Sequence, residues 1–250
     1  MGLGTDGHHR RRHGVARGVC GTGALAVAFP DAEVIAVDGS DAMLARVDAR
    51  AARLGIAERV RTVHADLPAG LSGLDRAEVV WAGPVMHHLG DERAALVTIH
   101  EALVPGGLVV ISEFGDATRY LPEDSATEPP GFQSRLAAAG TEWVAHMREE
   151  LPDATVSADY PTMLRETGFE LLTDTLVVAH LDPPLNADAR AVVVRDLQRS
   201  RKHSGAAIDP TDLAALDALL DADNPNGIMR RPDLFLEGSR HLFIARAINP

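Results

Sequence analysis

Cysteine is the scarcest reactive side chain here: Cys20 stands alone in 250 residues. No disulfide can form within the chain, which excludes a disulfide-stapled scaffold. Lysine is nearly as rare, with Lys202 the only one. Aromatic residues make up 4%, which disfavours a pocket built mainly from stacked rings, although six Phe and two Trp suffice to form one. Apolar runs are short, and one such as Ala24 to Phe29 falls far below the ~20 residues that span a bilayer. No membrane helix is expected. Positive charge is in deficit: 24 Lys and Arg against 36 Asp and Glu leave a net charge of −12. Phosphate contacts call for the opposite balance, so nucleic acid is an unexpected partner and a small molecule the expected one. The N-terminus is basic without the apolar stretch of a secretory signal; with the lone cysteine, this predicts a reducing, cytoplasmic compartment.

What remains is the composition of an ordinary globular protein, 46% hydrophobic and 24% charged. Residues 1–14 carry His8, His9 and His13 among Gly and Arg with no apolar periodicity. They read as a mobile tail, and without acidic or cysteine neighbours the histidines do not make a metal site. Residues 15–250 read as a single domain. Ala32 to Val37, Val60 to His64, Ala77 to Ala82 and Leu108 to Phe114 are short runs rich in Val and Ile, bounded by turn residues, and are predicted strands. Asp41 to Leu54 and Glu92 to Leu103 lie between them and carry apolar residues at helical spacing. Alternating strand and helix predicts an α/β fold, a doubly wound Rossmann-like parallel sheet with ligands at the C-terminal edge of its strands. Further helices are predicted over 132–151, 160–167, 188–201 and 210–220, and strands over 170–180 and 240–247. Two helix-rich insertions, about 116–158 and 186–237, are long enough to act as lids.

The sharpest local signal is Cys20-Gly21-Thr22-Gly23 before an apolar helix, with Asp38 closing the next strand. Glycines let a ligand approach the backbone, and the open N–H groups of a helix start favour an anionic group. An acid after the second strand, here Asp38 beside Gly39, can accept two hydrogen bonds from a ribose diol. Taken alone these features also fit a dinucleotide site, because Gly21 to Ala26 satisfies G-x-G-x-x-A. Asp66 and Leu67 follow the third strand, where a carboxylate and an adjacent N–H can read an adenine edge.

With those residues in view, the chain resembles the class I S-adenosylmethionine-dependent methyltransferases, specifically their small-molecule branch. The resemblance is carried by VCGTG (19–23), AEVIAVDGSDAML (32–44), RVRTVHADL (59–67), VVWAGPVMHHLGD (79–91) and EALVPGGLVVISEFG (101–115), in the family's order. It implies a seven-stranded sheet with an antiparallel last strand, and S-adenosyl-L-methionine as cofactor. It also implies that Cys20, Gly21 and Gly23 border the methionine part, that Asp38 and Gly39 meet the ribose, and that Asp66 and Leu67 meet the adenine. His87 and His88 follow the fourth strand, where one can act as a general base or the pair can simply pack against the helix begun by Asp91. Glu113 and Asp116 after the fifth strand, and Tyr160 and Trp143 in the insertions, are candidate contacts to a small-molecule methyl acceptor.

Two features depart from the family pattern. Arg17 stands where an acid is expected, three residues before Cys20. A cation there repels the cofactor's own positive charges by about 1 kcal/mol at ~4 Å in water. The first helix, read over Thr22 to Phe29, is also short. The alternative these allow is a methyltransferase fold with weak or no cofactor binding. A nicotinamide-dependent oxidoreductase is the other alternative; it rests on the glycine pattern alone, with no Tyr-x-x-x-Lys pair to support it.

Overall fold

The computed structural model describes residues 12–17, 19–123, 125, 127–154, 159–205 and 207–248, with 12–17, 19 and 20 described by backbone alone. Five parallel strands form its frame: β1 (Arg12–Arg17), β2 (Ala32–Asp38), β3 (Val60–His64), β4 (Ala77–Ala82) and β5 (Leu103–Phe114). β1 pairs with β2 and β4, β2 with β3, and β4 with β5, all parallel. With β6 (Phe169–Leu181) and β7 (Leu236–Ala247) the strand order is β3-β2-β1-β4-β5-β7-β6. Val34 to Val37 and Val109 to Glu113 are buried without alternation, as a sheet covered on both faces requires, which is why these segments read as continuous apolar runs.

The crossovers are α1 (Val19–Ala28), α2 (Asp41–Leu54) and α3 (Glu92–Glu101). α2 buries Leu44, Val47 and Ala51, three positions on one helical face. It ends at Gly55, whose φ of 68° lets its N–H return to the Ala51 and Ala52 carbonyls. α3 begins at Asp91, whose carboxylate accepts from the Ala94 N–H at 2.8 Å. α1 is closed from outside the helix. The Arg59 guanidinium donates to the carbonyls of Ala26 (2.9 Å), Ala32 (3.2 Å) and Phe29 (3.3 Å), satisfying acceptors that a helix end leaves open.

Of the boundaries that differ from the sequence reading, three lie in the parallel frame around the first and fifth strands. β1 starts at Arg12, so positions 12–14, assigned above to the tail, pair in parallel with Ala32 to Val34. Backbone pairing beside an apolar strand needs no apolar residue of its own; positions 1–11 lie outside the described residues. α1 starts at Val19 rather than Thr22, which takes Gly21 into the helix beside Gly23. β5 starts at Leu103, directly after α3. The register between β4 and β5 jumps from Ala77↔Leu103 to Val79↔Leu108, so Pro105, Gly106 and Gly107, read above as the turn before the strand, form an irregularity within it.

Two compact units are distinguishable. The first comprises Met1–Glu113, Pro152–Thr175 and His241–Pro250, the second Phe114–Leu151 and Leu176–Arg240. In the first, α3 and α5 (Tyr160–Glu166) pack on the sheet through Leu96, Ile99, Met163 and Leu164. In the second, α4 (Phe132–Glu149), α6 (Ala187–Ser204) and α7 (Pro210–Leu220) share a separate core around Leu136, Val193, Leu197 and Leu216. The second unit is pinned by Arg231, whose side chain is 7% exposed and ion-paired with Glu128 and Asp233. Among the described residues no helix is long and apolar enough to cross a membrane.

Candidate functional site

β2, β3 and β4 are parallel and adjacent to or one strand from β1, so their following loops emerge along the same edge of the sheet. Asp38 is the last residue of β2. Its Oδ1 accepts from the Ser40 N–H at 3.0 Å; Oδ2 has no hydrogen-bond partner among the described residues. The loop after β3 lies against this turn. The Ala65 N–H donates to the Asp38 carbonyl at 3.2 Å, and His64 lies 3.0 Å from the Gly39 carbonyl through Nε2 and 2.8 Å from Asp41 through Nδ1. A Cβ on Gly39 would sit 2.8 Å from Asp66 Oδ1. The missing side chain of Gly39 thus gives the Asp66 carboxylate its room beside the β2 turn, and Asp66 is exposed. Beyond Asp66, Leu67 lines an apolar cavity with Val37, Leu71, Val85 and Met86.

The glycines of the first helix meet protein atoms. A Cβ on Gly21 would lie 2.9 Å from Trp81 Nε1, and one on Gly83 equally close to the same atom. The indole N–H edge of Trp81 thus lies against two glycines, one in the first turn of α1 and one just after β4. The sequence reading did not single out Trp81, although a tryptophan two residues before Gly83 at a strand end was the available signal. A Cβ on Gly23 would lie 2.7 Å from Arg50 Nε, so the Cβ side of Gly23 faces the Arg50 side chain on α2. The side chains of Arg17 and Cys20 lie outside those described.

After β4 a 3₁₀ turn, Met86 to His88, carries both histidines. The Glu113 carboxylate, in a residue 8% exposed, reaches this turn from the end of β5. Oε1 accepts the Val85 N–H at 3.0 Å and the Met86 N–H at 2.8 Å, and Oε2 lies 2.8 Å from His87 Nδ1. The His88 ring packs at 4.1 Å between centroids from that of His87. Burial pushes the Glu113 carboxyl up, but the His87 hydrogen bond and charge and the two backbone N–H groups outweigh it, leaving its pKa below the ordinary value. Both oxygens are engaged by the protein, which corrects the expectation of an acceptor contact from Glu113. A group whose folded pKa is depressed stabilises the fold above its unfolded pKa, and that contribution is lost as pH falls through the folded pKa. Denaturation midpoints of the native chain and Glu113→Gln are expected to differ at pH 7 and to converge on acidification below the carboxylate range; a pH-independent difference would exclude the linkage.

Tyr160 departs further from expectation. It is 6% exposed, its hydroxyl donates to Glu92 Oε1 at 3.2 Å and its ring lies 5.1 Å from that of Phe243. It belongs to the core of the first unit, where helix α5 faces inward, and presents no surface to an acceptor. Asp116 and Trp143 lie in the second unit. The Asp116 N–H donates to Ser239 Oγ at 2.6 Å, and Trp143 packs on His203 at 4.5 Å between ring centroids. No metal-binding cluster occurs among the described residues.

Residues 19–109 match the family model described as a methyltransferase domain. A trans-aconitate 2-methyltransferase of Methylobacterium radiotolerans is 28% identical over 199 residues, 68% of this chain and 72% of that protein. Among solved structures, a protein of Bacillus halodurans provisionally named a methyltransferase aligns with a TM-score of 0.54 at 17% identity, over 96% of this chain and 94% of that one. One from Galdieria sulphuraria, provisionally named a sarcosine dimethylglycine methyltransferase, aligns at 0.51 and 13% identity, over 96% and 79%. The two structures establish the shared fold. The span that matches a methyltransferase domain, residues 19–109, contains the Asp38 and Asp66 loops, the apolar cavity and the histidine turn.

Proposed function

We propose that this protein transfers a methyl group from S-adenosyl-L-methionine to a small-molecule acceptor, with Asp38, Gly39, Asp66 and Leu67 holding the nucleoside end of the cofactor. The observation that carries the reading is the pairing of two carboxylates with unused acceptor capacity around Gly39, beside an apolar cavity. Asp38 suits two vicinal hydroxyls and Asp66 an exocyclic amino group. Starting α1 at Val19 places Gly21 in the first turn of the helix, where backbone N–H groups have no acceptor one turn back and suit a carboxylate. We further read the strand order as the complete seven-stranded class I sheet with β7 antiparallel.

When bound, the cofactor supplies an already activated methyl group on a sulfonium. The protein's task is therefore to hold an acceptor in line with it and to exclude water. A small acceptor agrees with the net charge of −12 and with the relative named for trans-aconitate. Isothermal titration of the chain with S-adenosylmethionine and S-adenosylhomocysteine, with NADH as control, tests the reading. Micromolar binding of the first two alone is the expected result, and no binding of either would overturn it.

A further inference from the structure

The ring of Trp81 has a structural task, and its N–H has none within the protein. The ring packs against the core of Ala26, Val34, Ala51 and Ile56, which holds it on the side of the sheet covered by α1 and α2. Trp81 is partly buried, yet its Nε1 hydrogen has no acceptor among the described residues. A tryptophan N–H in a packed setting ordinarily finds a partner, because an unmade hydrogen bond there is costly. The edge that carries it is kept bare by Gly21 and Gly83, since a Cβ on either would come within 2.9 Å of Nε1. A second donor stands across Gly83: Ser112 Cβ lies 2.9 Å from where a Cβ on that glycine would sit. Ser112 is 8% exposed, and its hydroxyl likewise has no partner among the described residues. The two donors meet at the C-terminal ends of β4 and β5, and the indole edge also borders the first turn of α1.

We propose that Trp81 and Ser112 hold the carboxylate of the methionine half of S-adenosyl-L-methionine, and that Trp81 makes this chain selective for a carboxylate-bearing cofactor. This rests on the methyl-transfer function proposed above. The reach of the cofactor selects the group. With its ribose hydroxyls on Asp38 at the end of β2, the rest of the molecule crosses β1 to arrive at β4, the three strands being neighbours in that order. Two strand spacings amount to ~10 Å. Six single bonds, ~8 Å when extended, link the ribose ring to the carboxyl carbon, and the ring itself supplies the remainder. Chemistry selects the same group. An indole nitrogen can only donate, and an ionised carboxylate can only accept. The amino group at the same end of the cofactor is itself a donor and gains nothing from Trp81.

The experiment compares S-adenosylmethionine with its decarboxylated form, which lacks only the carboxylate, by titration against the native chain, Trp81→Phe and Ser112→Ala. Phenylalanine keeps a ring against the same core and removes the N–H, and thermal melts confirm that each variant is folded. Trp81→Phe is expected to weaken S-adenosylmethionine binding about tenfold or more, and Ser112→Ala several-fold, as loss of a hydrogen bond to a charged group implies. Affinity for the decarboxylated form is expected to stay within about twofold of the native value in both, because no partner is lost. A direct readout is the indole N–H resonance of Trp81 in the native chain, identified by its absence from Trp81→Phe. It should move downfield on addition of S-adenosylhomocysteine, which retains the carboxylate, and stay in place with the decarboxylated form. The inference is overturned by equal losses for the two ligands in Trp81→Phe, by an unchanged S-adenosylmethionine affinity, or by a resonance that S-adenosylhomocysteine leaves in place. A native chain that binds neither S-adenosylmethionine nor S-adenosylhomocysteine would instead bring down the methyl-transfer reading, and this inference with it.

Discussion

Asp38→Ala is expected to weaken S-adenosylmethionine binding about 100-fold, on the basis of ~1.5–3 kcal/mol for each hydrogen bond to a charged group. The carboxylate is placed for this by three local facts. It ends a strand whose preceding four residues are buried; its Oδ1 is held by the Ser40 N–H; and its carbonyl is tied to the Ala65 N–H of the neighbouring loop. The rigid turn leaves Oδ2 for a ligand. Asp38→Asn keeps one acceptor and should lose less, roughly tenfold, if two hydroxyls share the carboxylate. Titration calorimetry of the two variants checks both figures, with thermal melts to confirm that each is folded. An affinity in Asp38→Ala equal to that of the native chain would remove Asp38 from the site.

Arg231→Ala is expected to destabilise the second compact unit by about 3–5 kcal/mol, the cost of leaving a buried charge without its partner. Every donor of the guanidinium is in use. Nε bonds Asp233 at 2.9 Å, one terminal nitrogen bonds Thr127 and Glu128 at 2.9 and 2.6 Å, and the other bonds Ser125 and Asp233 at 3.0 and 2.7 Å. The Glu128 side chain is 6% exposed, so the truncation strands a carboxylate away from water, and Ser125 and Thr127 lose their common donor. The hydrogen bonds and charges of Asp233 and Glu128 hold the Arg231 pKa above its ordinary value despite burial, as a paired, always-charged group requires. The two tryptophans allow the effect to be localised, since Trp81 lies in the first unit and Trp143 in the second. In a Trp81→Phe background, Trp143 fluorescence in urea should show a midpoint lowered by roughly 1–2 M. An unchanged midpoint would mean that the network adds nothing to the stability of that unit.

Much of the frame could be read from local pattern. β3 and β4 occupy the residues expected from their apolar runs, and α2 and α7 run over Asp41–Leu54 and Pro210–Leu220 as periodicity and capping residues predict. These segments advertise themselves because a strand buried on both faces must be continuously apolar and a half-buried helix must be striped. β5 was legible only from Leu108. Its first residues include Pro105 and two glycines, which ordinarily end an element, and they remain in the strand because pairing of Leu103 with Ala77 fixes the chain before the irregularity.

The candidate site divides along the same line. The positions of Asp38 and Asp66 were legible because a residue at or just after the end of a parallel strand has its place set by the strand itself, whatever lies around it. The contacts of Gly23, Glu113 and Tyr160 were not, because each depends on a partner distant in sequence: Arg50 across a helix pair, His87 on another strand's loop, and Glu92 at the start of α3. Sequence alone thus determined the α/β alternation, the positions of most strands and helices, and the acidic residues at the strand ends, all of which follow from the burial of contiguous segments. Only the tertiary structure decided which polar groups face each other. A hydrogen bond is directional and effective over about 3 Å, a distance that no periodicity along the chain specifies for residues brought together from separate strands.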